Sequence, residues 1–273
     1  MNNSFDLKRF TLLIKRQWII SKNEYLLSLV VVLAILLFYY GFQVYFIIDF
    51  YDSFGTTIHN IQNIIFSGRV VLFSILGILF ITLIASSYYK KLGKPQTAIP
   101  EILIPASQLE KKLTALVYTV IAAISAYLLI FYIADYSVVS VLKKYLIAHY
   151  SFTTSQQEVL NDNMHYYFDT IENDKLKYIL FLPCLINAAF LLGSIYFNKN
   201  QFIKSAVSIA IYFFITVISI FFINNIFFSG LIHPNTEKPI DQNDIVSILS
   251  AMGWLLTVAL WFIAYVRLKE KEV

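Results

Sequence analysis

The chain has 273 residues, of which 58% are hydrophobic and 17% aromatic, while only 14% carry a charge; its mean hydropathy is +0.67. Soluble domains have about 45–50% apolar and about 25% charged residues, so the composition excludes an ordinary water-soluble globule and points to a membrane protein, which the run lengths below make all-α. The net charge of +4 comes from loop lysines and arginines, which membrane topology accounts for without nucleic acid, and the lone Cys184 excludes a disulfide within the chain.

The N-terminal stretch comes first. Leu7, Phe10, Ile14 and Trp18 recur at helical spacing, while Lys8, Arg9, Lys15 and Arg16 occupy other faces. This pattern predicts an amphipathic interfacial elbow helix over 5–21, ahead of the first apolar run. That run starts late, is too long for a signal h-region and ends without a small-residue cleavage site, so no cleavable signal peptide is expected.

Runs without Asp, Glu, Lys or Arg cover 25–48, 70–89, 113–134, 178–198, 205–232 and 245–266. A helix rising about 1.5 Å per residue needs roughly 20 residues to cross a hydrocarbon core about 30 Å thick. Six transmembrane helices are therefore predicted, at approximately 25–48, 70–89, 113–134, 178–198, 205–226 and 245–266. The runs do not alternate in the two-residue pattern of a membrane barrel.

The connections differ in character. The first external loop contains Asp-Ser-Phe-Gly from Asp52, a turn signal. After the third run, 137–172 reads as a small two-helix external cap, its second helix opened by a capping box from Ser155 to Glu158. The stretch through Gly230, Pro234 and Pro239 predicts a hairpin dipping partway into the outer leaflet.

Alternate loops carry unequal numbers of basic residues. Fifteen Lys and Arg, among them Lys8, Lys90, Lys111 and Arg267, fall on one side, and six, among them Arg69 and Lys143, on the other. Cytoplasmic loops carry the excess, so both termini are predicted on the cytoplasmic side of the inner membrane.

Within the runs, polar residues are few. With no Asp, Glu, Lys or Arg there, the coupled-ion chemistry of secondary transporters finds no carrier. Asn187 and Asn224 read as interhelical hydrogen-bonding groups, and Ala122 with Ala126 and Ala189 with Gly193 as helix-packing pairs. No HExxH, GxSxG or P-loop occurs, and His59, His149, His165 and His233 are scattered over predicted external loops. An enzyme is not expected, nor a cofactor or metal on this chain.

The loop between the second and third runs is the exception to this plainness. It reads KKLGKPQTAIPEILIPASQLEKK over 90–112. Pro95 and Pro100 suit the first turn of a short helix, Pro105 disfavours helix at Ile104, and Ser107 followed by Glu110 fits a second capping box. The third transmembrane helix then begins several residues before its apolar part. A short lateral helix joined by a tight break to a rigid, capped span would transmit a push that a floppy loop would absorb.

Ile104, Pro105, Ala106, Ser107, Leu109, Glu110 and Lys111 resemble the LPAS-x-LEK-like motif after the second span of bacterial type-2 ATP-binding-cassette (ABC) exporter permeases, with Ile104 in place of Leu. The resemblance implies six spans, an elbow helix, a cytoplasmic coupling helix between spans 2 and 3 and an outer hairpin between spans 5 and 6. It further implies a separate ABC ATPase subunit that holds ATP and Mg, and a second permease copy. On that analogy the loop around 95–110 couples to the ATPase, with Glu110 and Lys111 contacting or orienting it and Pro105 setting the break beside Ser107. The other function class these features admit is a non-transporting membrane scaffold that binds a partner through its external cap.

Overall fold

A computed structural model describes residues 5–54, 68–93, 95–150, 152–170, 181–223 and 242–271. All regular structure among them is helical: α1 (Leu7–Phe54), α2 (Arg69–Tyr88), α3 (Pro95–Ile102), α4 (Gln108–Leu116), α5 (Ala123–His149), α6 (Thr154–Asn163), α7 (Phe181–Tyr196), α8 (Gln201–Ile223) and α9 (Gln242–Lys271). Single 3₁₀ turns cover Lys90–Gly93 and Tyr167–Thr170, and a six-residue π-helical segment, Val117–Ala122, joins α4 to α5.

Among the described residues, five helical stretches are long and apolar enough to cross a membrane: Leu7–Ser53, Arg69–Tyr88, Gln108–His149, Gln201–Ser219 and Val246–Glu270. The chain thus has the helices of a multi-pass membrane protein. The run at 178–198 is represented by α7, an apolar helix of 16 residues. The outer hairpin, with Asn224, lies outside the described residues, as do His59, His233 and most of the first external loop.

Three boundaries differ from those predicted. The elbow helix expected over 5–21 is not a separate element, because α1 runs unbroken for 48 residues, about 72 Å at about 1.5 Å per residue. Between Ser21 and Tyr25 the chain has no Gly or Pro to stop it, and the Ser21 hydroxyl donates back to the Gln17 carbonyl within the helix instead of capping a new one. The first half of the predicted cap is likewise the last turns of α5. Helix α6 begins at Thr154, with the Gln157 N–H donating to the Thr153 carbonyl, so Thr153 takes the cap position and Ser155 falls inside the first turn. The Ser155–Glu158 box is therefore not the start of that helix.

The chain divides into two compact units. One comprises Met1–Leu13, Ile81–Val120 and Lys177–Val273, the other Ile14–Phe80 and Ile121–Leu176.

In the first unit, Tyr89, Ala115, Leu191, Ile195, Ala264 and Leu268 form a buried cluster drawn from the end of α2, α4, α7 and α9. Asn187, fully buried, donates to the Thr119 carbonyl at 2.7 Å and accepts from the Thr119 hydroxyl at 3.3 Å. The expected interhelical role of Asn187 is thus observed, at the π-helical segment where the helical ladder is wider. Helix α7 ends in a tight turn at Asn200, whose φ of 51° is the left-handed value Asn tolerates, and the Gln201 side chain donates to the Ser194 carbonyl left over at the helix end.

This turn folds α8 against α7 at Gly193. A Cβ placed there would collide with the Ser205 hydroxyl and sit 2.8 Å from Ser205 Cβ. Gly193→Val is expected to lower the resistance of the purified chain to unfolding by about 1–3 kcal/mol, the cost of an overpacked contact. A Ser205→Gly change in the same chain should recover most of that loss in an SDS-unfolding titration.

In the second unit, Ile47, Tyr51, Leu142, Leu146, Leu160 and Met164 make a cluster from α1, α5 and α6. Phe73, Tyr127, Phe131, Tyr167 and Phe168 form an aromatic group beside it in sequence order, with centroid separations of 4.8 Å for Phe73–Phe131 and 4.9 Å for Phe73–Tyr167. The Tyr150 hydroxyl donates to Asp52 at 2.5 Å, and this bond to a carboxylate pushes Tyr150 up to about 12.

Candidate functional site

The loop after α2 is built from local rules. Following the 3₁₀ turn, α3 opens at Pro95, where a missing N–H costs little; Pro100 does not share that first turn but lies inside the eight-residue helix. The Leu103 N–H donates to the Ile99 carbonyl as the last helical bond, and a turn in which the Ala106 N–H donates to the Ile104 carbonyl completes the break at Pro105. Ala98 is buried, while Ile99 and Leu103, one turn apart on the same face, are 57% and 72% exposed. Pro105 is exposed as well. An apolar pair turned outward on a loop rich in lysine is a feature that burial by a partner would explain.

Helix α4 opens with the capping box. The Ser107 hydroxyl accepts the Glu110 N–H at 3.2 Å, and Glu110 Oε2 accepts the Ser107 N–H at 2.9 Å. The box was legible in the sequence, but what else Glu110 does was not. Its Oε1 accepts the Asp6 N–H at 2.8 Å and lies 3.2 Å from Arg9 Nη2, and the side chain has no exposure to solvent. Asp6 is itself the cap of α1: its carboxylate accepts the Lys8 N–H at 2.8 Å, and its carbonyl accepts the Phe10 N–H. The sequence-predicted residues therefore separate. Ser107 and Glu110 are buried at the junction, Lys111 is half-buried beside them, and Pro105 faces outward on the break. Glu110 is placed to orient the loop, with no surface of its own to offer a partner.

One further charged constellation was missed. In the second unit Asp135, 1% exposed, accepts from the Tyr40 hydroxyl at 2.5 Å, the Arg69 guanidinium at 3.0 Å and the Tyr167 N–H at 2.8 Å. Arg69 also donates to the His165 carbonyl at 3.1 Å. The four donations fix the turn at Tyr167–Thr170 to α1, α2 and α5. Of the four histidines, His165 serves here through its backbone, and His149 stacks on Tyr145 at 4.3 Å. The only signal in the sequence was position: Arg69 and Asp135 stand at the edges of apolar runs.

No family model, curated protein or solved structure matches this chain.

Proposed function

We propose that this chain is the membrane half of an ATP-driven exporter, with six spans of which α7 belongs to the fourth, and with both termini on the cytoplasmic side of the inner membrane. Two copies pair, and each engages a separate ABC ATPase subunit that holds ATP and Mg. The observation that carries the reading is the short helix α3 with the turn that ends it, which present Ile99 and Leu103 outward and are joined through the Pro105 break to the capped start of α4. A partner seated on that pair would bury two large apolar side chains, each worth roughly 1.5–3 kcal/mol on full burial. Closure of the two ATPase subunits would then displace α3, and the capped helix start would carry the displacement into the span.

The test is capture. The tagged chain, extracted gently from its native membrane, should bring down a P-loop ATPase identifiable by mass spectrometry. With Ile99→Asp and Leu103→Asp together, recovery of that ATPase should fall about tenfold or more, since both apolar contacts are replaced by charge. Both residues are already exposed, so the variant should accumulate in the membrane like the wild type. Undiminished capture would remove α3 as the docking element. No ATPase in either sample would turn attention to a scaffold role and to the external segment around α6.

A further inference from the structure

We infer that Glu110 is a positioning residue that locks the first turn of α1 to the first turn of α4, so that a displacement of α3 is delivered to two helix starts at once. The inference deepens the exporter reading and rests on it for what does the pushing. The lock itself rests on geometry. A capping box needs only one carboxylate oxygen, and Oε2 serves it; Oε1 is given to a backbone amide 104 residues away in sequence. That amide belongs to the cap of α1, so the N-termini of two helices converge on a single carboxylate that has no exposure to water.

Helix N-termini carry partial positive charge, and Arg9 adds a full one at 3.2 Å. Without the carboxylate, two amides would lose their acceptor and Arg9 would be left with the more distant Asp6 carboxylate, 3.9 Å from its Nε and already engaged in capping α1. The hydrogen bond and the ion pair between Asp6–Arg9 and Ser107–Glu110 both run through Glu110. A surface Arg–Glu pair would be worth little, but a buried carboxylate holding two amides and a guanidinium fixes distance and direction together. Arg9, 33% exposed at its side chain, can be altered without emptying the buried position.

The experiment uses the full chain in lipid nanodiscs with its copurified ATPase, comparing wild type with Glu110→Gln, Arg9→Gln and Arg9→Lys. Amide hydrogen exchange reads the lock directly: Glu110→Gln should speed exchange over residues 5–13 about tenfold or more, as expected for the loss of a charged hydrogen-bonding group. ATP hydrolysis reads the coupling. Arg9→Gln should capture the ATPase as the wild type does yet lower its hydrolysis several-fold, and Arg9→Lys, which keeps the charge, should restore much of it.

Unchanged exchange over residues 5–13 in Glu110→Gln overturns the lock, whatever the ATPase does. Faster exchange with hydrolysis unaffected in both Glu110→Gln and Arg9→Gln overturns the coupling role and leaves the exporter reading standing. A wild-type chain that captures no ATPase overturns the exporter reading and the coupling role with it, and the exchange measurement then decides the lock on its own.

Discussion

Asp135→Leu is expected to be among the most damaging single substitutions in the second unit, lowering stability by about 3–5 kcal/mol, because it leaves the Arg69 guanidinium buried without its carboxylate. The two side chains are 8% and 2% exposed, so water cannot take over the lost partner. The Tyr40 hydroxyl and the Tyr167 N–H lose their acceptor in the same step. A second substitution separates the cost of orphaning a charge from the value of the pair. Arg69→Met combined with Asp135→Leu removes both charges, and buried pairs replaced by apolar side chains of similar volume are often neutral within a few kcal/mol. The double variant should therefore unfold in an SDS titration much closer to wild type than Asp135→Leu alone. A single variant as stable as wild type would mean that the pair contributes nothing. A double variant as unstable as the single would place the value in the hydrogen bonds to Tyr40 and Tyr167.

The same cluster illustrates what the sequence could and could not disclose. Arg69 and Asp135 stand out as the charges that end two apolar runs, but 66 residues separate them, and no local rule pairs residues so far apart. Glu110 divides along the same line. Its bond to Ser107 spans three residues and follows from a pattern, whereas its bonds to Asp6 and Arg9 depend on how the first unit folds. Even local patterns fail where several residues compete. Thr153, Thr154 and Ser155 can all cap a helix, and the helix took the first of them, leaving Ser155 and Glu158 two residues out of register. At the start of the chain, hydropathy marked where the apolar run begins but had no bearing on whether the helix before it should stop. With no breaker between Ser21 and Tyr25, α1 continued. The loop at 90–112 was the most legible part because prolines and a cap act within a few residues of themselves, and α3, the break and α4 follow them.

Glu110→Lys is expected to cost about as much as the loss of Asp135, about 3–5 kcal/mol, for a different reason. The substitution inverts the charge at a position with no exposure, placing an ammonium next to Arg9 and against the N-termini of two helices. Neither the Ser107 N–H nor the Asp6 N–H keeps an acceptor. The lesion should therefore appear as reduced accumulation of the folded chain and as a lower unfolding midpoint, before any partner is considered. Loss of ATPase capture by this variant would not identify a docking residue. The contrast with Leu103→Asp is the informative one: Leu103 is 72% exposed on the break, and its replacement should leave the unfolding midpoint within about 0.5 kcal/mol of wild type while weakening capture. If Glu110→Lys accumulated and unfolded like wild type, the carboxylate would not be holding the two helix starts. If Leu103→Asp proved as unstable as Glu110→Lys, the exposed pair on α3 would belong to the fold of the chain, and the docking surface would have to be sought elsewhere on the loop.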